Sequence, residues 1–200
     1  MTAKSAVAIE KIDKIPPRER ILAAAADLFY RNGIRAVGVD AIAEAAGTNK
    51  MTLYRHFVSK DELVAEYLRQ SAKGEAAGWD CLQARHPGDP LAQLRAWLDE
   101  MFDHVVSGDA RGCPLANAAV ELPDKDHPAR RVIEECKVAA RAKVIALCRA
   151  AGLEDPDFLA DELNLMLEGA RVTAQSVGID GLAVRLKRMS DALIAAHAPK

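Results

Sequence analysis

Residues 38–63 read GVDAIAEAAGTNKMTLYRHFVSKDEL. Val39, Ile42, Ala43 and Ala46 fall at i, i+3, i+4 and i+7, one face of a helix with a 3.6-residue period. Gly47 ends that short helix, where the chain must leave in a left-handed conformation. Asn49 can cap the next helix with its side-chain oxygen. That second helix, about Lys50 to Phe57, buries Leu53 and Phe57 at i and i+4. Lys50, Met51, Thr52, Tyr54, Arg55 and His56 then point outward. Helix, glycine turn and a second helix with cationic and hydrogen-bonding side chains outward is the helix-turn-helix pattern. The second helix of such a motif fits the major groove and reads base edges with its N-terminal part. Ser59-Lys60-Asp61-Glu62 is a capping box that launches a third helix. It places Lys60 in that helix's first turn, within reach of a phosphate.

This arrangement resembles the tetracycline-repressor (TetR) family of bacterial transcription regulators. The resemblance is carried by Ile42-Ala43, Ala46-Gly47, Thr52-Leu53-Tyr54, His56-Phe57 and Ser59-Lys60-Asp61-Glu62-Leu63. Ile21, Ala25, Leu28-Phe29 and Gly33 match the family's first helix upstream, so the likeness covers roughly residues 17 to 68. The sequence departs from the family at Gly38, where a hydroxyl residue usually caps the helix and bonds a phosphate. Glycine caps almost as well but brings no hydroxyl. Met51 stands where small residues are common and offers an apolar contact, such as a thymine methyl. Thr48 replaces a common valine.

Charge supports a division of labour. Lys14 to Lys60 holds eight Lys and Arg against four acids, residues 1–13 are neutral, and the whole chain is at -2. A basic N-terminal quarter on an acidic body is what a protein needs when only its first part touches DNA. Cys81, Cys113, Cys136 and Cys148 form no zinc spacing, and neither a metal nor a cofactor is expected. No long apolar run marks a signal peptide or membrane span, so the expectation is a cytoplasmic protein with reduced thiols.

In chain order, residues 1–15 read as a mixed tail whose lysines Lys4, Lys11 and Lys14 could reach DNA. Residues 16–60 form the helix-turn-helix domain and 61–200 the regulatory domain. Pro17 opens the first helix, and a long helix from Lys60 to about Arg85 links the DNA-reading part to the rest. Asp89-Pro90, Asp126-His127-Pro128 and Asp155-Pro156 open later helices. A short apolar helix spans Cys113 to Leu122. After Gly181, Leu182, Leu186, Met189 and Leu193 recur as a heptad-like seam. No strand pattern appears, so the expected fold is all-α with nine helices. The resemblance implies a homodimer with an effector-binding C-terminal domain, its last two helices pairing across the dimer, here residues 157–197. The seam could instead pack within its own chain.

A dimer would set two recognition helices about one DNA turn apart, ~34–36 Å, to read a palindrome. Lys50 and Arg55 are the candidates for base edges. Thr52, Tyr54, His56 and Lys60 are assigned to phosphates, which position without specifying. Effector-pocket candidates are Trp79, Trp97, Phe102, His104, Asn117, Met166, Arg171 and Gln175. Arg171 sits in an otherwise apolar helix, where it could pair with Glu168 or bind an anionic effector. Gly112-Cys113-Pro114-Leu115-x-Asn117 resembles a motif of a TetR subgroup that includes sensors of electrophiles and oxidants. A cysteine at a helix N-terminus with Arg111 beside it favours the thiolate; the plainer reading is a small buried hydrophobe. Competing classes are a thiol-dependent enzyme, with Cys113 as nucleophile and His104 or His127 as base, and an interaction-only co-regulator. The first lacks an oxyanion-type or nucleotide loop, and the second leaves the outward basic helix idle.

Overall fold

A computed structural model describes residues 15–107 and 111–199. The tail expected over residues 1–15 lies outside them except for Ile15, as does the middle of the loop before Arg111. Nine α-helices and no strand occur among the described residues: α1 Pro17–Asn32, α2 Val39–Ala45, α3 Lys50–His56, α4 Lys60–Arg85, α5 Pro90–Val106, α6 Pro114–Glu121, α7 Pro128–Ala150, α8 Pro156–Ser176 and α9 Leu182–Ala196. Among the described residues no helix is long and apolar enough to cross a membrane.

Prolines and caps set these boundaries. α1, α5 and α8 each begin on a proline, whose missing amide costs nothing in a first turn. Asp89 Oδ1 accepts from the Ala92 amide at 2.9 Å, Asn49 Oδ1 from Thr52 at 2.9 Å and Ser59 Oγ from Glu62 at 3.1 Å. The capping box is only half closed, because the Glu62 carboxylate turns to Arg69 Nη1 at 3.3 Å.

The chain forms two compact units that do not follow its order. The first takes the residues through Ser71 and adds Pro114–Ile133; the second takes Ala72–Cys113 and Glu134–Lys200. In the first unit α1, α2 and α3 pack together around Ile21, Ala25, Phe29, Ile42 and Leu53. Leu63, Val64 and Leu68 of α4 are also fully buried. Glu121, at the end of α6, reaches the same unit: its Oε2 accepts from the Arg35 amide at 3.0 Å. A Cβ on Gly33, at φ 87°, would stand 3.0 Å from both Glu121 oxygens, so the chain needs glycine there for conformation and for room.

The second unit packs α5, α8 and α9 on one another, with the C-terminal half of α7 in the same core. Leu94, Leu98 and Phe102 meet Leu159, Leu163 and Leu167 there, and Leu182, Leu186 and Ile194 close it. The heptad-like seam is therefore corrected. Leu182 and Leu186 are buried in their own chain, and only Met189, 52% exposed, looks outward. The row that faces solvent is on α8, where Phe158, Leu165 and Val172 stand 56%, 74% and 66% exposed at heptad spacing.

Candidate nucleic-acid interface

The turn between α2 and α3 is built from backbone bonds. The Gly47 amide donates to Glu44 O and the Thr48 amide to Ala43 O, both at 2.9 Å, the paired bonds of a helix end closed by a left-handed residue. Gly47 supplies that conformation at φ 60°. The next helix then starts on Asn49. Leu53 is fully buried and Phe57 is 2% exposed, so they fix the roll of α3 about its axis. The opposite face is thereby held in water, with Lys50, Met51, Tyr54, Arg55 and His56 exposed and Thr52 half-buried.

Met51 is 76% exposed and Tyr54 44%. An unbranched thioether in water on a helix of this kind is a costly surface residue, which suits a methyl or sugar contact better than a core role. Lys50 Nζ meets Asp40 Oδ2 at 3.4 Å, with both side chains more than half exposed. Such a surface pair is worth about 0–1 kcal/mol, so the ammonium can exchange Asp40 for DNA at little cost. Gly38 precedes α2 at φ -85° with no atom within 4 Å of a built Cβ; it caps through backbone alone and leaves room for a larger residue.

Lys60 departs from its expected role. Its Nζ donates to Ile34 O at 2.7 Å and lies 5.9 Å from the Phe29 ring centre. Burial lowers its pKa, against the pull of Asp61 and Glu121. The ammonium ties α4 to the α1–α2 connection and is not presented with the outward face of α3. Arg18 does comparable work, 5.1 Å over the Phe57 ring and 3.3 Å from Glu66. Burial alone would raise the Glu66 pKa, and bonds from Arg18 and Arg69 bring it below the usual value. Val58, 90% exposed between α3 and α4, was not singled out by the sequence. No periodicity distinguishes a connecting residue, so no sequence signal would have found it.

The effector candidates scatter. Trp79 and Trp97 stack with ring centres 5.5 Å apart, and Lys143 Nζ stands 5.7 Å from the Trp79 ring centre. Phe102 is plain core at 3% exposure, and Met166 lies partly buried against that core. His104 and Gln175 are corrected: both are exposed. The inward stripe of α5 runs through Leu98, Phe102 and Val105, which turns residue 104 to solvent; on α8 it runs through Leu163, Leu167 and Ala170, which does the same to 175. Asn117 lies on α6, in the first unit. Cys113 is 6% exposed.

Arg171 is the candidate with the most developed surroundings. Its Nη1 meets Glu168 Oε1 at 3.0 Å, and Lys137 Nζ takes the same oxygen at 2.5 Å. Lys137 was missed because it lies thirty-one residues from Glu168 on another helix. Among the described residues, no group of three or more His, Cys, Asp and Glu could hold a metal ion.

Comparison with known proteins bears on this geometry. A profile described as "Bacterial regulatory proteins, tetR family" matches residues 21–67. The HTH-type transcriptional activator FasR of Mycolicibacterium smegmatis is 31% identical over 177 residues, which are 86% of this chain and 72% of that protein. The chain belongs to the TetR family. A TetR transcriptional regulator (sav143) of Streptomyces avermitilis superposes with a TM-score of 0.78 at 32% identity, over 92% of this chain and 98% of that one. SCO4454, a TetR-family regulator of Streptomyces coelicolor, reaches a TM-score of 0.86 at 28% identity over 92% of this chain and 96% of that one. As a TetR-family member the chain is a DNA-binding transcriptional regulator and not an enzyme. The outward face of α3 is its candidate DNA-reading surface.

Proposed function

We propose that this TetR-family chain represses transcription by binding a palindromic operator as a homodimer, and that a small molecule bound by its C-terminal helices releases it. The observation that carries the DNA-reading part is the amphipathic roll of α3: Leu53 and Phe57 are sealed in the core while Lys50, Tyr54, Arg55 and His56 stay in water. In this reading Arg55 and Lys50 meet base edges, Thr52, Tyr54 and His56 hold phosphates, and Met51 supplies an apolar contact. Lys60 joins them only if its bond to Ile34 O is exchanged for a phosphate.

The exposed row Phe158, Leu165 and Val172 on α8, with Val184 and Met189 on α9, supports self-association through residues 157–197. So many large apolar side chains in water on two neighbouring helices mark an interaction surface. A ligand that binds one dimer geometry better than the other shifts the population toward it. Selection of bound DNA from a random pool, on the purified protein at low salt, tests the reading. An enriched palindrome is the expected result, and a pool with no enriched sequence refutes it. Leu165→Glu should give monomers by light scattering and lose the palindrome with α3 intact. A promoter reporter decides the sign of regulation, since the similar FasR is named an activator.

A second reading, release by an electrophile at Cys113, draws on one observation: Cys113 stands immediately before the first residue of α6. Its 6% exposure weighs against it. If N-ethylmaleimide releases DNA from wild type but not from Cys113→Ser, this reading replaces the noncovalent one.

A further inference from the structure

The cluster around Arg171 lacks an acceptor. Arg171 Nε has no solvent contact and no hydrogen-bond partner. Nη2 has only the Met101 sulfur, at 3.8 Å. A thioether is a weak acceptor, and an unmade bond to a buried charged donor costs more than a neutral one. Only Nη1 is well placed, on a Glu168 oxygen already taken by Lys137. One carboxylate thus serves two cations.

Lys137 and Glu168 stay ionised. Burial lowers the Lys137 pKa, but Cys113 and Glu168 outweigh it and the value ends raised. Burial raises that of Glu168, but Lys137 and Arg171 outweigh it and the value ends lowered. The contact set places two cationic side chains against one carboxylate, with Arg171 the most buried of the three at 15% exposure, and a buried charge left without its full share of acceptors is what proteins avoid unless something pairs it.

Met101 fills the place where the missing acceptor would sit. It is an unbranched side chain with several rotatable bonds, able to swing aside. It lies one helical turn from Trp97 on α5, and Trp97 stacks on Trp79. Both indoles are only partly buried, as is Met166 of α8. A buried cation wanting an oxygen pair thus has a movable cover with aromatic and thioether surface beside it.

We infer that Arg171 binds the carboxylate of a small monocarboxylic acid, which displaces Met101, accepts hydrogen bonds from Nε and Nη2 in a two-point pair, and lays its apolar body toward Trp97 and Trp79. Guanidinium geometry matches a carboxylate in two parallel bonds. The single guanidinium short of acceptors matches a monoanion rather than a doubly charged phosphate. This deepens the effector reading and rests on it for its regulatory meaning, but the binding itself is measured without DNA.

The test uses the full chain with acetate, hexanoate and phenylacetate, each beside its own amide, and with phenyl phosphate. Tryptophan fluorescence reads only Trp79 and Trp97, the two tryptophans of the chain, and thermal melting reads binding through mass action. At least one acid should bind about ten- to a hundredfold more tightly than its amide, the ratio that one charge-assisted contact of 1.5–3 kcal/mol confers. Arg171→Gln should abolish that ratio. Met101→Ala, which clears the acceptor position and leaves the cluster intact, should tighten the acid and keeps the test sound if Arg171→Gln fails to fold. Amides binding as well as acids, or no acid binding at millimolar concentration, overturns the inference. Phenyl phosphate outbinding phenylacetate overturns the choice of a monoanion. None of these results touches selection of the palindrome, so failure here is distinct from failure of the DNA-binding reading.

Discussion

The two compact units solve the placement of charge in opposite ways. Around α3 the cations are exposed, lie within one helical stretch, and are loosely held: Lys50 keeps only a surface partner at 3.4 Å. Around α8 the charges are half-buried and drawn from distant parts of the chain: Lys137 and Glu168 meet at 2.5 Å, and Arg171 is left short of acceptors. A surface that must exchange its partners for DNA cannot afford strong internal pairs. A site that must discriminate a ligand gains from charges whose satisfaction is incomplete without it. Exposure thus separates the proposed reading surface from the proposed sensing one, although both use arginine and lysine.

The largest effect expected from breaking this contrast is at the pivot of α3. Leu53→Ala empties a fully buried position and should cost about 2–5 kcal/mol. α3 would lose its roll and operator binding with it. Tryptophan emission, which arises only from the second unit, should stay near wild type under conditions where the variant remains folded there. Loss of both signals together would show that the units melt as one.

Arg55→Ala should leave the melting temperature unchanged, since the side chain is exposed, and weaken operator binding by about 1–3 kcal/mol while relaxing preference at one base pair. Uniform weakening across sequences, with a shallower salt dependence, would instead make Arg55 a phosphate contact.

Glu168→Gln sharpens the comparison through pH. The folded Glu168 pKa lies below its ordinary 4.5. The stability it contributes is therefore complete above that ordinary value and is lost as pH falls through the lower folded one. Denaturant titrations should show wild type losing more stability than the variant on acidification below about pH 4.5. The side chain is more than a third exposed, so solvent screening keeps the effect small. Equal slopes would remove the ion cluster from the stability account.

Gly38→Thr is the smallest change. Its φ of -85° and its empty surroundings accept a side chain without strain. A capping hydroxyl should add a few tenths of a kcal/mol to stability. The same hydroxyl should tighten DNA through one more phosphate bond. A stabilised variant with unchanged affinity would separate the cap from the contact.

Much of the first unit is legible locally. Ala46-Gly47, Asn49 and Ser59 announce their turn and caps within a few residues of where they act, and Leu53 with Phe57 announces the buried side of α3. The inward bond of Lys60 is not legible in this way: a lysine in a helix's first turn looks free until the carbonyl of Ile34, twenty-six residues earlier, is brought to it. In the second unit the heptad-like spacing of Leu182, Leu186, Met189 and Leu193 marks an apolar stripe but cannot say against what it packs. The core of α5 and α8 took Leu182 and Leu186, and left Leu165 and Val172 of α8 to face outward.

The sequence by itself determined the helices, their ends, the glycine turn and the face of α3 that meets water, because caps, prolines and a 3.6-residue period act over one or two turns. Only the tertiary structure decided that Glu121 closes over Gly33, that Lys60 turns inward, and that Lys137 comes to the Glu168 carboxylate beside Arg171. Those contacts join residues tens of positions apart, and whether a charge ends up buried, paired or left wanting depends on which helices pack together.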